Sequence, residues 1–139
     1  MKQLASLFVA AAMSLSPLAS GQQPDAVANA LDAANRWLVL SDAGDGAASW
    51  EQAAPSFRAA VSKAAWSDAL RHARQPFGAL RARRVLSSEF KSSLPGAPDG
   101  EYVVIRYDTE FEHKAHALET VIPARDQDGN WKVSSYFVK

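Results

Sequence analysis

Three strand-like runs, Glu101–Phe111, Ala115–Arg125 and Trp131–Val138, close this 139-residue chain. The joints between them, Glu112–Lys114 and Asp126–Asn130, are only a few residues long. Joints that short join antiparallel neighbours, because a parallel pair needs a crossover of a dozen or more residues. The runs therefore predict an antiparallel meander. In the first run Val103, Ile105, Tyr107 and Phe111 fall on one face, and Tyr102, Val104, Arg106, Asp108 and Glu110 on the other. That alternation suits a half-buried strand. In the last run strict alternation groups Trp131, Val133 and Phe137, with Lys132, Ser134 and Tyr136 opposite.

The segment before the meander reads as helical. Val27, Leu31, Ala34 and Leu38 form an apolar stripe at helical spacing and predict a first helix over Pro24–Ser41. Pro24 suits its first turn and Gly44 its end. Ala47–Ala54 predicts a short second helix carrying Trp50; Pro55 interrupts it, and Ser56–Val61 continues as helix or turn. Ser62 is a capping residue for a third helix, Lys63–Arg74, with Trp66 and Leu70 on the buried face. Pro76 closes that helix, and Leu80–Ser92 predicts a first long strand. The expected architecture is α+β, with three N-terminal helices packed on a curved four-stranded antiparallel meander sheet.

Residues 1–21 read as a secretory signal. Lys2 is followed by the apolar run Leu4–Leu15, by Pro17, and by the small residues Ala19, Ser20 and Gly21. The apolar run is shorter than the roughly 20 residues of a membrane span. The expectation is a periplasmic or secreted protein with one domain over residues 22–139 and no transmembrane span after cleavage. The absence of cysteine rules out disulfides, thiolate metal sites and a lipid-anchored cysteine. With 15 Lys and Arg against 15 Asp and Glu, the chain lacks the basic footprint of a nucleic-acid binder.

Several phrases together mark a resemblance. They are Leu40–Asp45, Ala48-Ser49-Trp50, Val61-Ser62 with Trp66, Leu94–Val104, and Asp128–Val133. In combination they resemble the bacterial family catalogued as domain of unknown function 4019. The resemblance implies export and brings no catalytic residues. The helix-then-meander order is similar to the cone-shaped fold of nuclear transport factor 2-like (cystatin-like) domains, which hosts enzymes, ligand binders and oligomerisation modules alike.

Few residues suggest chemistry. By alternation Glu119 shares a face with Ala115, Ala117 and Val121, where a carboxylate is costly unless paired. Arg71, Arg74, Arg81, Arg83 and Arg84 place five positive charges within fourteen residues. Arg84 stands out because Leu80 and Ala82 share its face. Arg84, Tyr107, Glu119 and Trp50 are the candidate ligand-binding residues of the cone, and Arg84 is a candidate partner for Glu119. His113 and His116 are spaced for opposite strand faces, so no metal is expected, and no cofactor motif appears. Asp126–Asn130 reads as a hairpin turn, not a calcium loop.

Without a catalytic constellation, the sequence points to a non-enzymatic exported module. Its expected partner is a small molecule or an envelope protein, and the protein itself is a candidate homodimer. One alternative is a small-substrate enzyme using Glu119 as acid/base with Tyr107 and Arg84. Another is attachment to an anionic surface through the Arg71–Arg84 cluster.

Overall fold

The computed structural model describes residues 22–139. The expected signal segment, residues 1–21, lies outside the described residues. Four helices precede four strands: α1 (Gln22–Asp42), α2 (Gly46–Glu51), α3 (Pro55–Ala60), α4 (Lys63–Arg74), β1 (Leu80–Lys91), β2 (Tyr102–Phe111), β3 (Lys114–Arg125) and β4 (Trp131–Val138). The strands form one open antiparallel sheet in the order β1-β2-β3-β4. The α+β class and the meander stand as expected.

The helix count differs by one, and proline is the reason. Pro55 has no N–H to continue α2, but it fits the first position of a new helix, so α3 starts there. The other ends follow local chemistry. After α1, Gly44 takes φ +72°. Its N–H reaches the Ser41 carbonyl at 3.1 Å, and the Asp45 N–H reaches Leu40 at 3.0 Å. This is the paired closure of a Schellman motif. Asp45 then caps α2 by accepting from the Ala48 N–H, and Ser62 caps α4 by accepting from Ala65. Gly46 meets α4 so closely that a Cβ there would lie 2.7 Å from the Ser67 Cα.

The sheet has two faces of unequal cover. Val103, Ile105, Tyr107, Thr109 and Phe111 of β2, with Ala117, Glu119 and Val121 of β3, are buried on the helix side. Against them pack Ala34, Trp37 and Leu38 of α1, Phe57 of α3, and Trp66 and Leu70 of α4. Trp37, Phe57, Trp66 and Tyr136 form one aromatic cluster, with ring centroids 4.8 to 6.4 Å apart. Ser49 is buried among them. Its hydroxyl accepts from the Trp66 indole and its carbonyl from the Trp37 indole. On the outer face the β1–β2 loop folds over the start of β2, where the Tyr102 hydroxyl donates to the Pro98 carbonyl at 2.6 Å.

Bulges rearrange two strands. In β4 the register slips between the Ile122 and Pro123 pairings, leaving Ser134 as the extra residue. One extra residue exchanges the two faces for the rest of the strand. Tyr136 therefore joins Trp131 and Val133 on the helix side, and Phe137 points outward at 62% exposure. This reverses the faces that strict alternation assigns to those two residues. In β1 the register slips at Arg81 and again at Leu86. Beyond the second slip, Ser87–Lys91 pairs regularly with Arg106–Tyr102. The two edges of the sheet differ. At β4 the Ala54 N–H, entering α3, takes the outward carbonyl of Val133 at 2.8 Å. No backbone hydrogen bond outside the ladder reaches β1 among the described residues.

Candidate functional site

The helix-side layer encloses a compact set of ionic groups. Glu119 is fully buried in the middle of β3. Its Oε1 accepts from the Arg83 Nε at 2.7 Å and from the Thr109 hydroxyl at 2.5 Å. Its Oε2 accepts from the Tyr136 hydroxyl. The remaining Arg83 nitrogens grip Asp42 with both prongs, Nη1 to Oδ2 at 2.8 Å and Nη2 to Oδ1 at 2.9 Å. Arg74 adds a third bond, Nη2 to Asp42 Oδ1 at 2.8 Å. Two guanidiniums and two carboxylates thus form a neutral quartet. It joins the C-terminal ends of α1 and α4 to β1 and β3.

Each member solves a local problem. Asp42 puts a negative charge at the C-terminus of α1, where the helix dipole opposes it. Two guanidiniums offset that conflict. Burial pushes the Asp42 carboxyl up, but the hydrogen bonds and charges of Arg83 and Arg74 outweigh it and hold Asp42 below its usual 3.8. Arg83 is driven further toward its charged form. Burial opposes the charge, and bonds to Asp42 and Glu119 overcome it. Arg74 has two buried N–H groups, at Nε and Nη1, without a hydrogen-bond acceptor. Its guanidinium lies 4.5 Å over the Phe111 ring, which partly compensates.

Two tyrosines border the quartet. Burial, then the charge and hydrogen bond of Glu119, push the Tyr136 phenol far up, so it stays a donor. Tyr107 lies directly opposite Glu119 in the ladder. Its phenol is pushed up to about 12, chiefly by burial. It donates to the Asn35 side chain at 3.1 Å.

The candidate residues scatter accordingly. Glu119 and Tyr107 share the helix-side face. Arg84 does not join them. The bulge at Arg81 shifts the parity of β1, so Arg83 takes the place across from Thr109 and Arg84 points outward. There Arg84 pairs with Asp108 at 3.0 Å, and His116 approaches the same carboxylate at 3.3 Å. These three line a shallow hollow of about 220 Å³ on the outer face. Hydrogen bonds from Arg84 and His116 hold Asp108 below its usual range. Trp50 lies apart from the quartet. It is half-buried on α2, its indole donating to the Val61 carbonyl at 2.8 Å, with Lys63 5.4 Å over the ring.

The arginine cluster dissolves into pairs. Arg71 meets Asp68, Arg81 lies 3.8 Å from Glu112, and Arg74, Arg83 and Arg84 have the partners already described. Among the described residues no group of three or more His, Cys, Asp or Glu side chains is placed to hold a metal ion. No helix among them is long and apolar enough to cross a membrane.

A second feature is open to solvent. A groove of about 1320 Å³ runs beside β4. Its apolar lining includes Phe57 of α3 and Val61 just after it, Leu94 and Pro98 of the β1–β2 loop, and Ile122 and Phe137 of the sheet. One end is charged, where Lys132 pairs with Asp126 and Arg125 with Glu101.

Fold and site together define a small helix-on-meander domain with a largely buried ionic quartet and an open lateral groove. The chain belongs to the family described as protein of unknown function DUF4019, whose model matches residues 33–136. The match runs from α1 to Tyr136 and takes in the whole quartet. No curated protein and no solved structure matches the chain.

Glu119 and Tyr107 share the helix-side face, but the partner of Glu119 is Arg83 and not Arg84, and its bonds to Thr109 and Tyr136 and the link through Arg83 to Asp42 and Arg74 are absent from the sequence reading. Thr109 was within reach, since it continues the Val103, Ile105, Tyr107 alternation. Asp42 carried a weaker signal, as an acidic residue at a helix C-terminus is out of place unless it has a cationic partner.

Proposed function

We propose that the protein is a non-enzymatic binding module of the bacterial cell envelope. It is exported by its N-terminal leader and takes an apolar ligand, a small molecule or a segment of an envelope protein, in the groove beside β4. The groove is the observation that carries this reading. It exceeds the roughly 300–1,000 Å³ of an ordinary small-molecule pocket, and Phe137 is 62% exposed along it. The state of Glu119 supports the non-enzymatic part. Three donors occupy its carboxylate, and the residue is sealed from solvent. A general base must reach a substrate proton. The helix-then-meander order supports a likeness to nuclear transport factor 2-like domains, in which such a module has precedent.

Native mass spectrometry of protein purified gently from the periplasm tests the reading. The expected result is an added mass that disappears on denaturation and is absent from Phe137→Asp. A bare wild-type mass, or an adduct that Phe137→Asp retains, sinks the groove as the ligand site.

A further inference from the structure

The groove beside β4 contains a cation that nothing balances. Its charged lining consists of Arg58, Arg125, Asp126, Asp128 and Lys132. Arg125 pairs with Glu101 at 3.0 Å, and Lys132 with Asp126 at 3.4 Å. Asp128 is exposed in the β3–β4 turn, where water serves it. Arg58 differs from all of these. It stands in the last turn of α3, half-buried, and among the described residues no carboxylate pairs with it. Its Nε is buried without a hydrogen-bond acceptor. Its Cζ lies 6.0 Å from the Trp50 ring centroid, at the far limit of a cation–π contact. Burying a charge is costly unless it is paired. From this unmatched guanidinium set in an apolar lining, we infer that the groove takes a long-chain monocarboxylate. The carboxylate sits on Arg58, and the alkyl chain lies along Phe57, Ile122 and Phe137. The inference rests on the groove reading above and narrows its ligand.

The chemistry of the lining selects the head group. Ligand sites are mostly apolar, with a few polar groups that fix orientation. Here the orienting group is a planar fork of N–H donors, whose geometry matches a carboxylate. One unmatched positive charge calls for one negative charge. A phosphate monoester or a dicarboxylate brings a second negative charge, and the other cations of the groove are already paired. A zwitterionic head brings a cation, with only the exposed Asp128 to meet it.

The lining also selects the tail. An alkyl chain gains with each methylene group it hides from water, and it needs no hydrogen-bond partner. An extended peptide does need partners, and along β4 the Val133 carbonyl already accepts from the Ala54 N–H at 2.8 Å.

Equilibrium dialysis tests the assignment. Lipid-stripped protein expressed from the whole sequence is dialysed against labelled hexadecanoate, hexadecanol or hexadecyl phosphate, each below its micelle concentration. Circular dichroism verifies folding of each variant. Wild type is expected to bind hexadecanoate about tenfold or more tightly than hexadecanol, the worth of a charge-assisted hydrogen bond. Arg58→Met should remove that advantage and leave hexadecanol binding unchanged, Arg58→Lys should keep part of it, and Phe137→Asp should lose both ligands. Absence of hexadecanoate binding overturns the inference. So does hexadecanol or hexadecyl phosphate binding as tightly as hexadecanoate, or an Arg58→Met variant that keeps the full preference. If acid and alcohol bind alike and Phe137→Asp loses both, the groove stands and the carboxylate site on Arg58 falls. If hexadecanoate binding survives Phe137→Asp, the groove falls with it.

Discussion

Glu119 is a buried carboxylate whose partners come from the three other strands, and its removal acts through what it leaves behind. In Glu119→Gln the Arg83 guanidinium keeps Asp42 but loses half of its counter-charge. Breaking a buried ion pair on one side typically costs about 3–5 kcal/mol, whereas replacing both partners by apolar groups of similar volume is often nearly neutral. Urea melts should therefore place Glu119→Gln about 3 kcal/mol below wild type, with the pair Glu119→Leu/Arg83→Met recovering part of that loss. A single variant as stable as wild type would mean the quartet contributes nothing. Asp42 makes the stability acid-sensitive. Its folded-state value lies below 3.8, so between the two values the unfolded chain binds a proton that the folded chain does not. Its contribution is present in full above 3.8 and is lost as the pH falls through the folded-state value. Melts between about pH 2 and pH 6 should show this acid limb, and Asp42→Asn should flatten it while lowering stability at neutral pH. An unchanged acid slope would remove Asp42 from the account.

Among the elements, α2 and α4 meet at close range, because Gly46 lies against Ser67. A methyl group there meets the α4 backbone and forces the two helices apart. Gly46→Ala should cost about 2 kcal/mol in denaturant melts, despite the better helix propensity of alanine; a stabilised variant would show that α2 is free to move. At this scale the sequence is legible up to the bulges. The limits of the strands, the helix caps at Asp45 and Ser62, the stop at Gly44 and the inward course of Glu119 can all be read from residue type and period. The choice between Arg83 and Arg84, and between Tyr136 and Phe137, cannot. Each depends on one extra residue, at Arg81 or at Ser134, that reverses the strand's parity. Neither position carries a glycine or proline to announce it. The error propagates, since the ionic partners of Glu119 follow from those two reversals. The separate helix after Pro55 is legible only in part, because helix and turn both suit Ser56–Val61, and Pro55 is a starting residue as well as an interruption.

In the molecule as a whole, helices cover one face of the sheet and the quartet fastens them to it. Its members are far apart in sequence, with Asp42 and Arg83 separated by 41 positions and Arg83 and Glu119 by 36. The helical half and the meander therefore depend on each other for a polar interior that neither completes alone. The two edges of the sheet have unlike fates. At β4 the entry to α3 already occupies the carbonyl of Val133, whereas among the described residues no backbone hydrogen bond outside the ladder reaches β1. A strand exposed on both sides of a sheet invites endless stacking, one molecule templating the next. With α3 set against the β4 margin, the same hydrogen bond from Ala54 that anchors a short helix occupies part of the edge that a second molecule would need, and so works against fibre formation.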